Sequence, residues 1–322
     1  MNIAIFFQDG DTTLADGDNI LHSAVRGGHL NILQWLLERT KIDPKSVNKD
    51  GDNILHSAVR GGHLNILQWL LERTKIDPKS VNKDGDNILH SAVRGDHLII
   101  LQWLLERTKI DPKSLNKDGD TLLHLAVRDG RIIILQWLLQ RTKIDPYSVN
   151  KDGDNLLHSA VRGGLLNILQ WLLERTKIDP KEENKDNDTL LHSAVRDGHL
   201  HILQWLLERT KIDPNIVNKN GDTLLHSACR GGDPTILQLL LERTMIDPKS
   251  VNKDGDTPFD TAAEVEKLKT VRLLLERTTI DPKKIYKNGN TVLHIAARTG
   301  ELETVKLLLE TSNLDPNQKN EV

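Results

Sequence analysis

Histidine is the first residue type in this chain whose placement invites chemistry. His22, His56, His90, His124, His158, His192 and His226 recur every 34 residues, Asp260 takes the eighth place, and His294 restores the series. In several repeats a second histidine follows seven residues later, as His63 follows His56. Paired imidazoles are zinc ligands. Two short helices parted by Gly61-Gly62 would not put this pair on one face, however, and Asp260 and Leu165 break the two series. The histidines therefore read as structural, and no metal is expected. Asn48-Lys49-Asp50-Gly51-Asp52 has the oxygen-rich composition of a calcium loop. Counted from Ser46, the twelfth position is Ser57, which cannot give the bidentate carboxylate of an EF-hand. Cys229 stands where other repeats carry valine or alanine, so it reads as a small buried hydrophobe and not as a nucleophile. There is no glycine-rich phosphate loop, no Gly-x-Ser-x-Gly elbow and no Cys-x-x-Cys. Neither catalysis nor a cofactor is expected.

Composition narrows the classes further. The net charge of -3 over 322 residues suggests neither bulk attraction to nucleic acid nor an acidic tail. One cysteine excludes an intrachain disulfide and points to a reducing, cytoplasmic setting. No apolar run approaches the roughly 18 residues that would span a bilayer. Met1-Asn2-Ile3-Ala4-Ile5-Phe6-Phe7 lacks the basic start of a secretory signal.

The elements that must position these residues follow from one repeat, 48–81. The Asp50-Gly51 pair marks a turn. Asn53 follows as a helix N-cap, and its equivalents are Asn or Thr throughout: Asn19, Asn87, Thr121, Asn155, Thr189, Thr223, Thr257 and Thr291. Ile54, Leu55, Ala58 and Val59 give a short apolar helical face that Gly61-Gly62 ends. Leu64, Ile66, Leu67, Leu70 and Leu71 form a longer second helix, stopping near Thr74 before Ile76-Asp77-Pro78. The turn glycine, Gly51, becomes Asn187 in the sixth repeat, which predicts a left-handed backbone there.

The period runs without insertion over nine repeats: 14–47, 48–81, 82–115, 116–149, 150–183, 184–217, 218–251, 252–285 and 286–319. The remainder is a cap segment, 1–13, and a tail, 320–322. Ile3, Ile5, Phe6 and Phe7 are expected to cover the first repeat's open apolar end. Strict periodicity predicts a solenoid whose repeats pack only on their neighbours. A tetratricopeptide array shares the period, but its two helices are of similar length and its first carries a Trp-Leu-Gly-Tyr pattern. Here the first helix is about two turns and a polar Asp-Gly loop parts the repeats.

Thr257-Pro258, Thr291-Val292-Leu293-His294-Ile295-Ala296-Ala297, Gly62-His63-Leu64 and Leu70-Leu71-Glu72 instead resemble the ankyrin-repeat family. The resemblance implies an all-α-dominated repeat solenoid of helix-turn-helix repeats with β-hairpin or loop fingers. It implies that the first histidine bridges backbone groups of neighbouring loops, and that a concave face binds protein. Three features depart from the family: Asn-Ile or Thr-Leu in place of Thr-Pro, Thr74 in place of glycine after the second helix, and one residue more than the common length of about 33.

On that resemblance, Arg26, Arg60, Arg94, Arg128, Arg162, Arg196 and Arg230 face the concave side, with Arg298 later and Glu264 interrupting. The tips add Asp52, Asp86, Asp120 and Asp154, together with Asp18, Asp188, Asp222 and Asp256. Two readings stand side by side: these charges pair with one another and with solvent, or they select a protein partner with an acidic or mixed-charge surface. Ile99, Ile133 and Tyr147, departures from the repeat norm at positions expected to be exposed, are further contact candidates or simple drift after duplication. Trp35, Trp69, Trp103, Trp137, Trp171 and Trp205 are expected to fill grooves between neighbours. The expected function is non-catalytic binding of a partner protein by a monomer, centred on repeats three to five, with no nucleic acid and no membrane. The alternatives are a structural spacer and a host-directed adaptor or effector of an intracellular bacterium. Repeat eight, with Asp260 and Glu264-Val265-Glu266-Lys267, is expected to hold its neighbours less firmly.

Overall fold

A computed structural model describes residues 17–286, 289–312 and 314–320. The proposed cap residues Ile3, Ile5, Phe6 and Phe7 lie outside them. The chain divides into two compact units, Met1–Lys151 and Asp152–Val322. The first contains α1 (Ile20–Arg26), α2 (Leu30–Arg39), α3 (Ile54–Arg60), α4 (Leu64–Arg73), α5 (Ile88–Arg94), α6 (Leu98–Arg107), α7 (Leu122–Arg128) and α8 (Ile132–Arg141). The second contains α9 (Leu156–Arg162), α10 (Leu166–Arg175), α11 (Leu190–Arg196), α12 (Leu200–Arg209), α13 (Leu224–Gly231), α14 (Pro234–Arg243), α15 (Pro258–Glu264), α16 (Leu268–Arg277), α17 (Val292–Thr299) and α18 (Leu302–Thr311). In each unit short first helices pack on one another and on the longer second helices of their own repeats. No strand occurs among the described residues, so the fingers are hydrogen-bonded turns and not β-hairpins. Successive fingers are joined by single backbone bonds, such as Lys83 N to Asp50 O at 2.9 Å.

Local sequence explains the helix limits. Asn53 Oδ1 accepts from Leu55 N at 2.9 Å and His56 N at 3.3 Å, satisfying two amides that a seven-residue helix leaves free. The second helix ends at Thr74, whose hydroxyl donates to Leu70 O at 2.6 Å. Thr74 has φ -108° and ψ 158°, an extended backbone, so the position does not need glycine. That accounts for one of the three departures. Leu55, Ala58, Val59, Ile66, Leu67 and Leu70 are fully buried. At roughly 1.5–3 kcal/mol for each large aliphatic, this core dominates the stability of a repeat.

Backbone conformation between the paired helices is more demanding. Gly62 has φ +76°, and a Cβ there would stand 2.7 Å from His97 Cε1 of the next repeat. Asp96 and Glu266 occupy the equivalent place with φ 60° and φ 59°. Asn187 at the finger tip, with φ 57°, has the left-handed backbone its sequence predicts. Changing Asp96 to Gly is expected to stabilise the protein by about 1 kcal/mol, because a left-handed backbone costs an L side chain that much. A urea midpoint unchanged or lowered in D96G would contradict this.

Candidate functional site

Each finger is held by one aspartate that the sequence assigned to an exposed tip. Asp52, Asp86 and Asp120 are 0% exposed and Asp154 is 1%. A partner cannot reach these four as tip residues. The reason lies in what meets them. Asn48 Oδ1 accepts from the backbone N of both Asp50 and Asp52, at 3.0 Å each, and folds the loop so that Asp52 turns inward. Arg60 then lies 2.8 Å from Asp52 Oδ2, and Asn82 of the next repeat donates to Oδ1 at 2.8 Å. His22 of the preceding repeat donates from Nε2 to Asp52 O at 2.9 Å. One aspartate thus ties three successive repeats.

The same network recurs in both compact units. In the first, Asn116 reaches Asp86 at 3.2 Å and Asn150 reaches Asp120 at 3.0 Å. In the second, Asn184 reaches Asp154 at 2.9 Å, Asn218 reaches Asp188 at 3.2 Å and Asn252 reaches Asp222 at 2.8 Å. The histidine bridges repeat too, from His56 to Asp86 O at 3.1 Å, His158 to Asp188 O at 3.2 Å and His226 to Asp256 O at 2.8 Å. Burial, opposed by neighbouring aspartates, holds His56, His90, His158 and His192 below the ordinary imidazole range, and burial does the same for His226. The second histidines carry a separate bridge: His63 to Arg26 O at 2.9 Å, His97 to Arg60 O at 3.0 Å and His199 to Arg162 O at 3.1 Å. Arg131, which replaces this histidine in repeat four, keeps the bond by donating to Arg94 O at 3.0 Å.

All seven candidate arginines pair with the aspartate eight residues earlier. The first unit has Arg26–Asp18 at 3.0 Å, Arg60–Asp52 and Arg128–Asp120 at 2.8 Å, and Arg94–Asp86 at 2.7 Å. The second has Arg162–Asp154 at 2.9 Å, Arg196–Asp188, and Arg230–Asp222 at 2.7 Å. The arginine side chains nonetheless remain about one-third to one-half exposed, from 29% for Arg94 to 49% for Arg230. Sequence reasoning missed which tip charges are presented to solvent. They are Lys49-Asp50, Lys83-Asp84, Lys117-Asp118 and Lys151 in the first unit, and Asp152, Lys185-Asp186, Lys219 and Lys253-Asp254 in the second. The usable signal was the Asn four residues before each buried aspartate.

Ile99, Ile133 and Tyr147 are exposed at 71%, 65% and 53%. The two isoleucines hold the same position on α6 and α8, and Tyr147 lies in the loop after α8. Trp69, Trp103, Trp137, Trp171 and Trp205 are half-buried, while Trp35 is exposed. Trp137 lines an open groove with Gln102 and Leu105 of the preceding repeat.

Repeat eight replaces the network as a set. Asp260 accepts from Thr257 N at 3.0 Å and from its hydroxyl at 2.8 Å, the roles of the missing histidine as cap partner. Tyr286 donates to the other Asp260 oxygen at 3.4 Å, and Lys284 pairs with Asp256 and lies 3.8 Å from Asp260. The Tyr286 bond spans the junction that the sequence expects to be weaker, and the Lys284 pairs brace repeat eight beside it.

Cys229 is buried, and burial raises its thiol above the ordinary range, which disfavours the nucleophilic thiolate. Among the described residues no three His, Cys, Asp or Glu side chains are grouped to hold a metal, and no helix is long and apolar enough to cross a membrane.

The paired helices, the loop-bridging histidine and the turn glycines find their counterpart in one comparison. The family model described as ankyrin repeats (3 copies) matches residues 3–82, 74–148, 134–218, 157–250, 210–286 and 244–320. The chain belongs to the ankyrin-repeat family. It is a helical repeat solenoid, and ankyrin repeats in general are protein–protein interaction modules. No curated protein matches the chain.

Proposed function

We propose that this ankyrin array is a non-catalytic module that binds a partner protein of acidic or mixed surface charge through its arginine rungs and exposed finger tips. The observation that carries the reading is the state of each arginine. In every rung but Arg26, whose partner Asp18 is only partly buried, a buried carboxylate in its own repeat fixes the guanidinium, yet part of the side chain stays in solvent. A cation held in place this way loses little entropy when it meets a partner carboxylate, and its unused N–H groups keep the fork geometry. Exposed Asp50, Asp84 and Asp118 lie along the same fingers and would repel a phosphate backbone, which argues against nucleic acid. We place the protein in the cytoplasm as a monomer. The nine-repeat division of 14–319 remains part of this proposal.

A spacer role is the second reading, and the internal Arg–Asp pairing favours it, since paired charges can serve stability alone. Affinity capture from a cell lysate separates the two. Changing Arg94, Arg128, Arg162, Arg196 and Arg230 together to Lys keeps the charge and removes the fork. Changing Ile99 and Ile133 to Asn, with Tyr147 to Lys, restores residues common in other repeats. The expected result is one specific partner that the arginine variant loses and the second variant keeps, with association slowed by added salt. Loss in the second variant alone would move the contact to the exposed apolar residues. An empty partner set for wild type would favour the spacer.

A further inference from the structure

The arginine rungs of the second compact unit are not equivalent. Arg162 lies against two carboxylates, Asp154 at 2.9 Å and Asp152 at 3.3 Å. Arg196 meets Asp188 and, at 3.5 Å, Asp197. Arg230 pairs with Asp222 at 2.7 Å and, at 49%, is the most exposed of the seven rungs. Gly231 follows this rung, as Gly95 follows Arg94, so Arg230 has no counterpart of the second carboxylate that Asp197 gives Arg196. The tip above this rung also differs. Asn220 replaces the aspartate found at Asp152, Asp186 and Asp254.

The amide tip and the most exposed rung meet in one cleft of about 370 Å³ between Arg196 and Arg230, lined also by Asp186, Asn218, Ser227 and Asp188, whose charge is already paired with Arg196. The corresponding cleft of the first unit, about 480 Å³ between Arg60 and Arg94, has Asp50 and Asp84 on its walls. An incoming anion meets two acidic tips there, but one acidic tip and one amide donor here. One full negative charge fewer at close range shifts anion binding severalfold even at high dielectric. Past Arg230 the rung changes sign, because Glu264 holds the next equivalent position and is exposed.

We infer that the cleft between Arg196 and Arg230 seats an aspartate or glutamate side chain of the partner protein, with Arg230 as the anchoring residue. The inference rests on the protein-binding reading above and moves its strongest contact from repeats three to five to repeats six and seven. The partner carboxylate takes guanidinium N–H groups of Arg230 that Asp222 does not use, and Asn220 offers an amide N–H from the finger. Glu264 limits the acidic stretch of the partner, since a second carboxylate one repeat further on would be repelled.

The test uses a synthetic decapeptide of alternating Glu and Gly, and its Gln counterpart, titrated at low ionic strength into the full chain. Arginine Nε–H resonances report where it binds. The Glu peptide is expected to shift Arg196 and Arg230 well before Arg60 and Arg94, and the Gln peptide to shift none. Asn220→Asp, which installs the residue most other tips carry and should fold normally, is expected to weaken the peptide roughly fivefold. Asp84→Asn is expected to strengthen binding at Arg60 and Arg94 by a similar factor. Equal shifts at all rungs, or unchanged affinity in N220D, would overturn the inference while leaving the arginine face as the binding surface. No shift at any arginine would overturn both.

Discussion

Replacing Arg94 by Ala is expected to cost the first compact unit about 2–3 kcal/mol, far more than an exposed ion pair is worth. Asp86 is fully buried, with Arg94 at 2.7 Å on one oxygen and Asn116 at 3.2 Å on the other. Removing the arginine leaves a carboxylate with one amide donor and no countercharge. The full penalty for such a group, about 3–5 kcal/mol, is reduced here because Arg94 is itself 29% exposed and water can approach the vacated place. The control is Asp86→Asn in the same variant, which removes the stranded charge and keeps an acceptor for Asn116. The double variant should recover more than half of the loss. Urea midpoints followed by tryptophan emission give the comparison, and midpoints suffice because a repeat array need not unfold in two states. If R94A alone is no less stable than the double variant, Asp86 carries no uncompensated charge and the rung is a solvated pair.

Acid should loosen the array before its carboxylates titrate. His56, His90, His158, His192 and His226 all have their imidazoles pushed below 6.5 by burial. For a base depressed in the folded state, the unfolded chain binds the proton more readily. The stability tied to these groups is therefore complete above about pH 6.5 and is lost as pH falls through the folded values. Five such groups add in one direction. Protonation is most disruptive at Thr-capped sites such as His192, where Thr189 N donates to Nδ1 at 3.3 Å and a proton on that nitrogen removes the acceptor. The urea midpoint should hold from pH 7.5 to about pH 6.5 and then fall towards pH 5, and H192Q should be less stable at neutral pH but flatter in its pH profile. A midpoint that is constant or rises on acidification would show that the histidines are charged in the fold.

The sequence carried the helices and their ends well, because they are set by local chemistry repeated many times. Asn53 and Thr74 mark both limits of a repeat by bonds within a few residues. The tip charges were harder. Asp50 and Asp52 differ by two positions and have the same side chain, yet one is exposed and the other buried. Their fates depend on Asn82 and Arg60, one of which lies in another repeat. The resemblance to ankyrin repeats gave the bridging role of His56 but not the substitute at repeat eight, where Asp260, Lys284 and Tyr286 act together across 26 residues. The inequality of the rungs was present in the sequence as Asn220. It became meaningful only when that residue was found on one cleft beside Arg230.

The bond from each Asn to the aspartate 30 residues earlier, and from each second histidine to the carbonyl 37 residues earlier, have a bearing on how such a gene can grow. Both halves of every bond recur at the same register. Copying any 34-residue segment within the regular repeats therefore creates a junction already equipped with its partners, whatever the starting point of the copy. No co-adapted change is needed, and length can vary while the interfaces stay intact. The pair of repeats eight and nine is different. Tyr286 of repeat nine fits Asp260 of repeat eight, not a histidine, so a copy of either repeat alone would meet a mismatched neighbour. That junction marks where expansion of the array by single repeats should stall, and where length variation among natural alleles should be least.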